Sequence, residues 1–162
     1  MSVSIGIIKV EKPEGMNVIV GQSHFIKTVE DLHEIVSSYV PSAKFGISFV
    51  ESSGACLVRV SGNDETLSNL AARNAMSCGA GHTFFIFLQG AFPITVLNQV
   101  KTAQEVCCIF CATANPVELL VASSEQGKGI IGVIDGFSPS RMEGEKDKKA
   151  RKELLRQLGY KL

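Results

Sequence analysis

The sequence lacks an excess charge of either sign, because its 162 residues hold 16 Lys and Arg against 16 Asp and Glu. Balanced charge excludes the strong global field that draws a basic protein to nucleic acid or to an acidic membrane surface. The sequence also lacks an apolar run of the roughly 20 residues that a membrane-spanning helix needs. What remains is an ordinary globular composition, 45% hydrophobic and 20% charged, at a length that predicts one compact domain over residues 1–162.

The cysteines lack the spacing of a disulfide framework or of a zinc site. Their number, five, is odd, and adjacent Cys107 and Cys108 in "EVCCIFCATA" point to opposite faces of a strand. We expect the cysteines to be small buried hydrophobic residues and expect no metal site. The alternating N-terminal segment lacks the pattern of a secretory signal peptide. Together these features predict a cytoplasmic protein with reduced thiols.

Charge is present unevenly along the chain. Residues 141–162 carry eight Lys and Arg and four Asp and Glu, a local charge of +4, which leaves −4 for the remainder. We interpret this segment as the solvated face of a helix, over residues 145–158, ended by Gly159. The apolar side of that helix is formed by Ala150, Leu154, Leu155 and Leu158.

Periodicity along the chain predicts an α+β fold. A strand opens the chain, and a helix begins at Thr28, with Thr28 and Asp31 spaced as a capping box. A β-hairpin follows, formed by "AKFGISFVES" and "ACLVRVSG" around a tight Ser-Gly turn. Asn63 or Asp64 caps the next helix, which leads to the buried strand "TFFIFL", a short helix, three strands and the final helix. We expect a mixed β-sheet with about four helices packed on it.

Three polar loops are the candidates for chemistry. "GQSHF", residues 21–25, precedes a helix N-terminus, where free N–H groups and the helix dipole favour an anion. "GAGH", residues 79–82, connects a helix to the buried strand, and its glycines let a ligand approach the backbone. "EQGKGIIG", residues 125–132, has the composition of a hairpin turn whose lysine can reach a phosphate. None of the three is a Walker, dinucleotide-binding or kinase motif.

A histidine in such a loop suits phosphoryl transfer. Neutral imidazole has a lone pair at pH 7 and attacks phosphorus to give a phosphoramidate. The other ring nitrogen then needs a partner to hold the tautomer. Glu51, Glu118, Asp135 or a backbone carbonyl could serve, and the residues alone do not choose among them.

Five blocks of the sequence resemble the adenosine-specific kinase family, a small archaeal and bacterial family. They are "KPEGMNVIVGQSHFIKTVEDL", "AGHTFFIFLQGAFPITVLNQVK", "VCCIFCATANPVELLVA", "GKGIIGVIDGFSP" and "RKELLRQLGYKL". The resemblance runs from about residue 5 to the C-terminus. It implies binding of adenosine and AMP rather than ADP or ATP, a phosphohistidine, and a homo-oligomer, a trimer. The resemblance does not fix a cofactor, and the candidate is ATP, or another phosphate donor, together with Mg²⁺.

Both histidine loops match the family pattern. Our prediction for the phosphorylated residue is His24, because it precedes a helix N-terminus, with His82 as the alternative or assisting group. The amide of Asn115 would recognise adenine or ribose, and Glu118 or Asp135 would hold ribose hydroxyls. The predicted ligand-binding residues are Gln22, Ser23, Lys27, Gly79, Gly81, Asn115, Glu118, Gly127, Lys128, Gly129 and Asp135.

Three functions stay open at this point. The first is an enzyme that transfers phosphate to or from adenosine through a phosphohistidine. The second is a non-catalytic sensor or carrier of adenosine or AMP, which the missing Walker and kinase motifs favour, because ATP-dependent transfer needs Mg²⁺ and a γ-phosphate clamp. The third is a scaffolding protein whose glycine loops serve only as turns.

Overall fold

Eight strands form two antiparallel sheets in the computed structural model, which describes residues 2–162. The larger sheet has the strand order β4-β3-β5-β2-β6, and the smaller has the order β1-β7-β8. The strands are β1 (Ser4–Lys9), β2 (Met16–Ser23), β3 (Lys44–Val50), β4 (Val58–Gly62), β5 (Thr83–Gln89), β6 (Val106–Thr113), β7 (Val117–Ser123) and β8 (Lys128–Asp135). The helices are α1 (Thr28–Tyr39), α2 (Glu65–Cys78), α3 (Leu97–Thr102), α4 (Glu145–Gln157) and a 3₁₀ turn at Pro93–Thr95.

The α+β class is confirmed, but the strands do not form one mixed sheet. Strand β2 already has a neighbour on each side, β5 and β6, so β1 has no place beside it. The break around Pro13 and Gly15 instead lets β1 pair with β7 in the second sheet. Among residues 2–162, the parallel pairing that is recorded is one isolated bridge between Ala80 and Lys128.

The five-stranded sheet is buried on both faces, which explains the continuous apolar sequence of β5. Phe85 and Phe87 face α2 and the three-stranded sheet, while Phe84, Ile86 and Leu88 face α1 and α3. All five side chains are fully buried. Successive residues of a strand point to opposite faces, so a strand covered on both sides is apolar throughout.

The ends of α2 agree with the sequence, and the start of α1 does not. The Asp64 carboxylate accepts the Leu67 N–H at 3.0 Å, and Gly79 ends the helix with φ = 61°. The capping box predicted at Thr28 is wrong, because α1 begins after Lys27 and the hydroxyl of Thr28 is already committed. That buried hydroxyl donates to the Phe25 carbonyl in the preceding loop and lies 2.7 Å from the Ser23 hydroxyl, at the end of β2.

The predicted hairpins are both present. Strands β3 and β4 pair in antiparallel register up to Val50 and Val58. Residues 51–57 connect them, so the connection is longer than the predicted tight Ser-Gly turn. Strands β7 and β8 form the second hairpin through residues 124–127, where the Ser124 N–H donates to the Gly127 carbonyl at 2.9 Å.

Burial of the cysteines is only partly as predicted. Cys78 and Cys111 are buried, and burial raises the pKa of the Cys111 thiol to about 12. Cys56, Cys107 and Cys108 are exposed, contrary to the prediction. The last two lie on β6, which is an edge strand and is covered less than the strands inside the sheet. Within residues 2–162, no three His, Cys, Asp or Glu side chains are grouped as metal ligands.

The final helix ends close to where the sequence predicts, with Gly159 at φ = 73° beyond it. Its predicted apolar side does not pack against the rest of residues 2–162, since α4 contains no buried residue. No helix in the part of the chain that the structure describes is both long and apolar enough to cross a membrane.

Candidate functional site

A cavity of about 780 Å³ lies where the C-terminus of α2, the end of β3 and the β7–β8 hairpin meet. The bridge between Ala80 and Lys128 joins two of the loops that the sequence singles out, residues 79–82 and 125–132. The volume is in the range of small-molecule sites. Five predicted site residues line this cavity: Gly79, Gly81, Gly127, Lys128 and Gly129.

Lys128 supplies a cation at this cavity. Its Nζ would lie 3.6 Å from a Cβ atom built on Gly79, so the lysine side chain extends across the glycine. Helix α2 ends at Cys78, and its C-terminus places partial negative charge at the same spot. The Lys128 ammonium opposes that negative charge. Burial raises the pKa of the Cys78 thiol, and the positive charge of Lys128 partly counteracts the rise.

Gly81 brings the backbone close to a hydroxyl that the sequence analysis missed. A Cβ atom at Gly81 would lie 2.3 Å from the Ser52 Oγ, so only glycine leaves room for this serine as it stands. Ser52 lines the cavity together with Glu51, in the connection between β3 and β4. The signal for this loop was present in "ESSGAC", whose Ser and Gly content indicates a turn.

Glu51 supplies a carboxylate in the cavity lining, opposite in charge to Lys128. It accepts the Leu57 N–H at 3.0 Å and an Arg59 N–H at 3.1 Å. These bonds, the backbone one first, lower the pKa of the carboxyl, so it is ionised at neutral pH. The Glu51 carboxylate is therefore held in place as a hydrogen-bond acceptor.

His82 directly follows the cavity-lining Gly81 and is held at three points. Its backbone N–H donates to the Val50 carbonyl at 2.8 Å, and its backbone carbonyl accepts the Ser23 N–H at 3.0 Å. Its ring stacks on Phe49, with 5.8 Å between the ring centroids. Its φ is +60°, in the left-handed region that residues other than glycine rarely adopt. Such strain persists only where surrounding contacts fix it, and it is frequent at functional sites.

His24 lies in the loop next to His82, and neither histidine is among the residues that line the cavity. The bond from Ser23 to His82 joins the two histidine loops at one end of the central sheet. His24 is exposed, and its N–H donates to the Glu105 carbonyl at 3.0 Å. Of its predicted neighbours, Gln22 is exposed on β2 and Ser23 is buried. The role of His24 stays a prediction.

The N-terminus of α1 uses several of the donors that were expected to face an anion. The Thr28 N–H donates to the Phe25 carbonyl, and the N–H groups of Glu30 and Asp31 donate to the Lys27 carbonyl. The side chains of Glu30 and Asp31 add negative charge to the same turn. An anion at this helix end therefore meets fewer free donors than the sequence suggested.

Lys27 is held between two carboxylates beside this turn. It forms an ion pair with Asp31 and lies 3.3 Å from the Glu105 Oε2, and these partners, Asp31 first, raise the pKa of Lys27. Glu105 is 1% exposed, and apart from the ion pair of its Oε2 with Lys27, its carboxylate oxygens have no hydrogen-bond partner within residues 2–162. Nothing in the sequence indicated a buried glutamate at this position, just before β6.

The remaining predicted residues lie at the far end of the β7–β8 hairpin. Asn115 donates to Asp135 at 3.0 Å, and Glu118 lies 3.9 Å from Lys9. Val117 pairs with Asp135 at this end, whereas Ser123 pairs with Lys128 at the cavity end, about 20 Å away along the strand. The structure thus separates Asn115, Glu118 and Asp135 from the cavity.

Comparison with known proteins gives the family of this chain. The sequence profile of the family described as "Adenosine specific kinase" matches residues 8–161, nearly the whole chain. The chain therefore belongs to the adenosine specific kinase family, and family membership indicates an adenosine-related function.

A solved structure has the same fold as this chain. The chain is similar to the PH1918 protein from Pyrococcus horikoshii OT3, known from its crystal structure, with 44% sequence identity and a TM-score of 0.94. The alignment covers 99% of each chain. Comparison with curated proteins gave no match.

Proposed function

We propose that this protein binds adenosine and AMP in the cavity between residues 79–82 and 125–132, and that it transfers phosphate through a phosphohistidine. The observation that carries the proposal is the meeting of two glycine-bearing loops around one lysine and next to one strained histidine. Glycine lets a ligand approach the backbone closely, and the lysine offers a charge for phosphate. Membership of the family supplies the nucleoside.

The lining of the cavity suits the parts of a nucleoside monophosphate. The Lys128 ammonium faces the phosphate, and the Glu51 carboxylate accepts hydrogen bonds from ribose hydroxyls. Apolar side chains of Val50, Val58 and Met76 provide a surface for the adenine ring.

In the proposed reaction, a neutral imidazole nitrogen attacks the terminal phosphorus of a phosphoanhydride such as ATP. A P–N bond forms, and the P–O bond to the leaving group, ADP when the donor is ATP, breaks. The adenosine 5′-hydroxyl then attacks the same phosphorus, the P–N bond breaks, and the hydroxyl proton is transferred to a base, which leaves AMP and neutral imidazole. Position favours His82, because it directly follows Gly81 of the cavity lining, while His24 lies in the next loop and stays the alternative.

Binding tests the site separately from catalysis. We expect Lys128→Ala to weaken the affinity for AMP about tenfold more than the affinity for adenosine, because only AMP carries the phosphate that the ammonium contacts. Isothermal titration calorimetry measures both affinities. Lys101→Ala, an exposed lysine of α3, is the matched control and should leave both affinities unchanged. If Lys128→Ala leaves the ratio of the two affinities unchanged, the phosphate does not lie at Lys128.

Turnover separates the enzyme from the sensor. The protein is incubated with ³²P-labelled ATP and adenosine, and label is followed in the protein and in AMP, with His82→Ala and His24→Ala in parallel. We expect one variant to lose both the protein label and the labelled AMP. Full activity of both variants would refute the histidine mechanism, and AMP binding without any label transfer would support the sensor.

We also propose that the protein is a homo-oligomer, a trimer, as the family resemblance implies. Apolar side chains exposed on β1 and β8 support association, because large exposed apolar patches are typical of interfaces. Light scattering after size exclusion measures the mass in solution, and a monomer at all concentrations would contradict this part of the proposal.

A further inference from the structure

Helix α4 has an apolar stripe without a packing partner in the part of its own chain that the structure describes. Leu154 is 53% exposed and Leu158 is 45% exposed, with Leu155 between them, and no residue of the helix is buried. Within residues 2–162, its hydrogen bonds and ion pairs reach only the flanking residues 141–144 and 158–161.

A helix in this state is not stable by itself. Helices shorter than about 12–15 residues are marginal in water, and most helix stability in proteins comes from packing an apolar face. Helix α4 has 13 residues and two leucines facing water. It therefore needs an apolar surface to cover its stripe.

The outer face of the three-stranded sheet is such a surface. Ile5 and Ile7 alternate on β1 and are 66% and 59% exposed. Their partners on β7 are Ala122 and Leu120, which point to the same side of the sheet, and Ile134 of β8 continues it with 44% exposure. The opposite side of this sheet is the one that packs into the core.

Charge indicates where the helix of one chain would be attracted. Residues 141–162 carry a net charge of +4, and residues 1–140 carry −4. Two copies therefore attract one another when the C-terminal segment of one lies on the body of the other. The ion pair of Lys9 and Glu118 at the edge of the isoleucine face also offers polar partners to the charged flanks of the helix.

We propose that α4 of one copy packs its stripe of Leu154, Leu155 and Leu158 on the isoleucine face of a second copy, formed by Ile5, Ile7, Leu120 and Ile134. The contact joins two different surfaces, so repetition closes a ring when the rotation allows it. This inference deepens the proposed assembly and rests on it, but it is independent of the nucleotide site.

A pair of complementary variants tests the contact. The helix variant is Leu154→Glu with Leu158→Glu, and the sheet variant is Ile5→Glu with Ile7→Glu. Ile94→Glu, an equally exposed isoleucine outside both surfaces, is the control. Circular dichroism verifies that every variant is folded, and sedimentation velocity gives the masses of the unmutated chain, each variant alone and an equimolar mixture.

We expect each double variant alone to be monomeric, with the midpoint of association raised at least roughly tenfold, while Ile94→Glu associates like the unmutated chain. The mixture should regain dimers, because the intact helix of the sheet variant meets the intact sheet of the helix variant. An unmutated chain that is monomeric would refute the assembly. An oligomer that survives either double variant, or variants whose mixture stays monomeric, would refute this contact while leaving the assembly standing.

Discussion

The backbone of His82 provides a direct measure of how firmly the candidate site is held. Its φ of +60° lies in the left-handed region, which costs a residue with a Cβ atom roughly 1–2 kcal/mol. Replacing His82 by alanine removes the ring and its stacking on Phe49 but keeps the Cβ atom. Replacing it by glycine removes the same ring and the strain as well. The difference between the two variants isolates the backbone contribution.

We expect the glycine variant to be more stable than the alanine variant, which is the reverse of the order at an ordinary helical position. Glycine loses more conformational freedom on folding than alanine, about 0.5–1 kcal/mol, and this opposes the relief of strain. The net expectation is that His82→Gly is about 1 kcal/mol more stable than His82→Ala. Asn69, exposed within α2, gives the matched pair at an ordinary helical φ, where alanine should be about 1 kcal/mol more stable than glycine.

Urea unfolding at fixed protomer concentration measures both differences in the free energy of unfolding, provided that this free energy has the same dependence on urea concentration in all variants. The two pairs should differ by about 2 kcal/mol, well above the error of the comparison. If His82→Ala is more stable than His82→Gly by about 0.5–1 kcal/mol, which is the entropy difference alone, the left-handed conformation carries no strain, and His82 is not a residue held against its preference.

Two further predictions concern the scaffold around the site. Gly46→Ala should destabilise the protein by about 3 kcal/mol in urea unfolding, because a Cβ atom there would lie 2.1 Å from the Leu67 backbone. Gly6→Ala is the control and should change the stability little, because no atom lies within 4 Å of that Cβ position. Equal effects of the two substitutions would contradict this prediction. Hydrogen bonds, first from the Leu67 N–H, lower the pKa of the Asp64 carboxyl in the folded protein. The stability that this carboxylate contributes should therefore be lost as the pH falls below about 4, and Asp64→Asn should reduce that loss. If the unmutated protein and Asp64→Asn lose melting temperature equally between pH 7 and pH 3, this prediction is wrong.

Local sequence was sufficient for most elements of the fold. The apolar run of β5, the acidic start of α2 and the glycines after α2 and α4 each carry a short-range physical signal. The elements they predict are present, and so are both hairpins. The division into two sheets had no such signal, because it depends on which strands find free edges beside β2.

The candidate site was predicted as separate pieces. Residues 79–82 and 125–132 were each recognisable from their glycines and polar side chains, but nothing in their spacing indicated that Ala80 would pair with Lys128. Ser52 was missed for the same reason, and Glu51 was considered only as a partner for a histidine ring, since the β3–β4 connection reaches the cavity only through the fold. Asn115, Glu118 and Asp135 looked equally suitable and lie about 20 Å along the hairpin from Lys128.

The sequence by itself determined the class of fold, the family and the two histidine loops, because these depend on local composition and on motifs that stay intact in the linear chain. Only the tertiary structure decided that His24 and His82 lie in adjoining loops, that Gly81, next to His82, lines the cavity, and that α4 leaves its leucines uncovered. Contacts between residues far apart in sequence depend on the packing of all the elements together, and no local pattern specifies them.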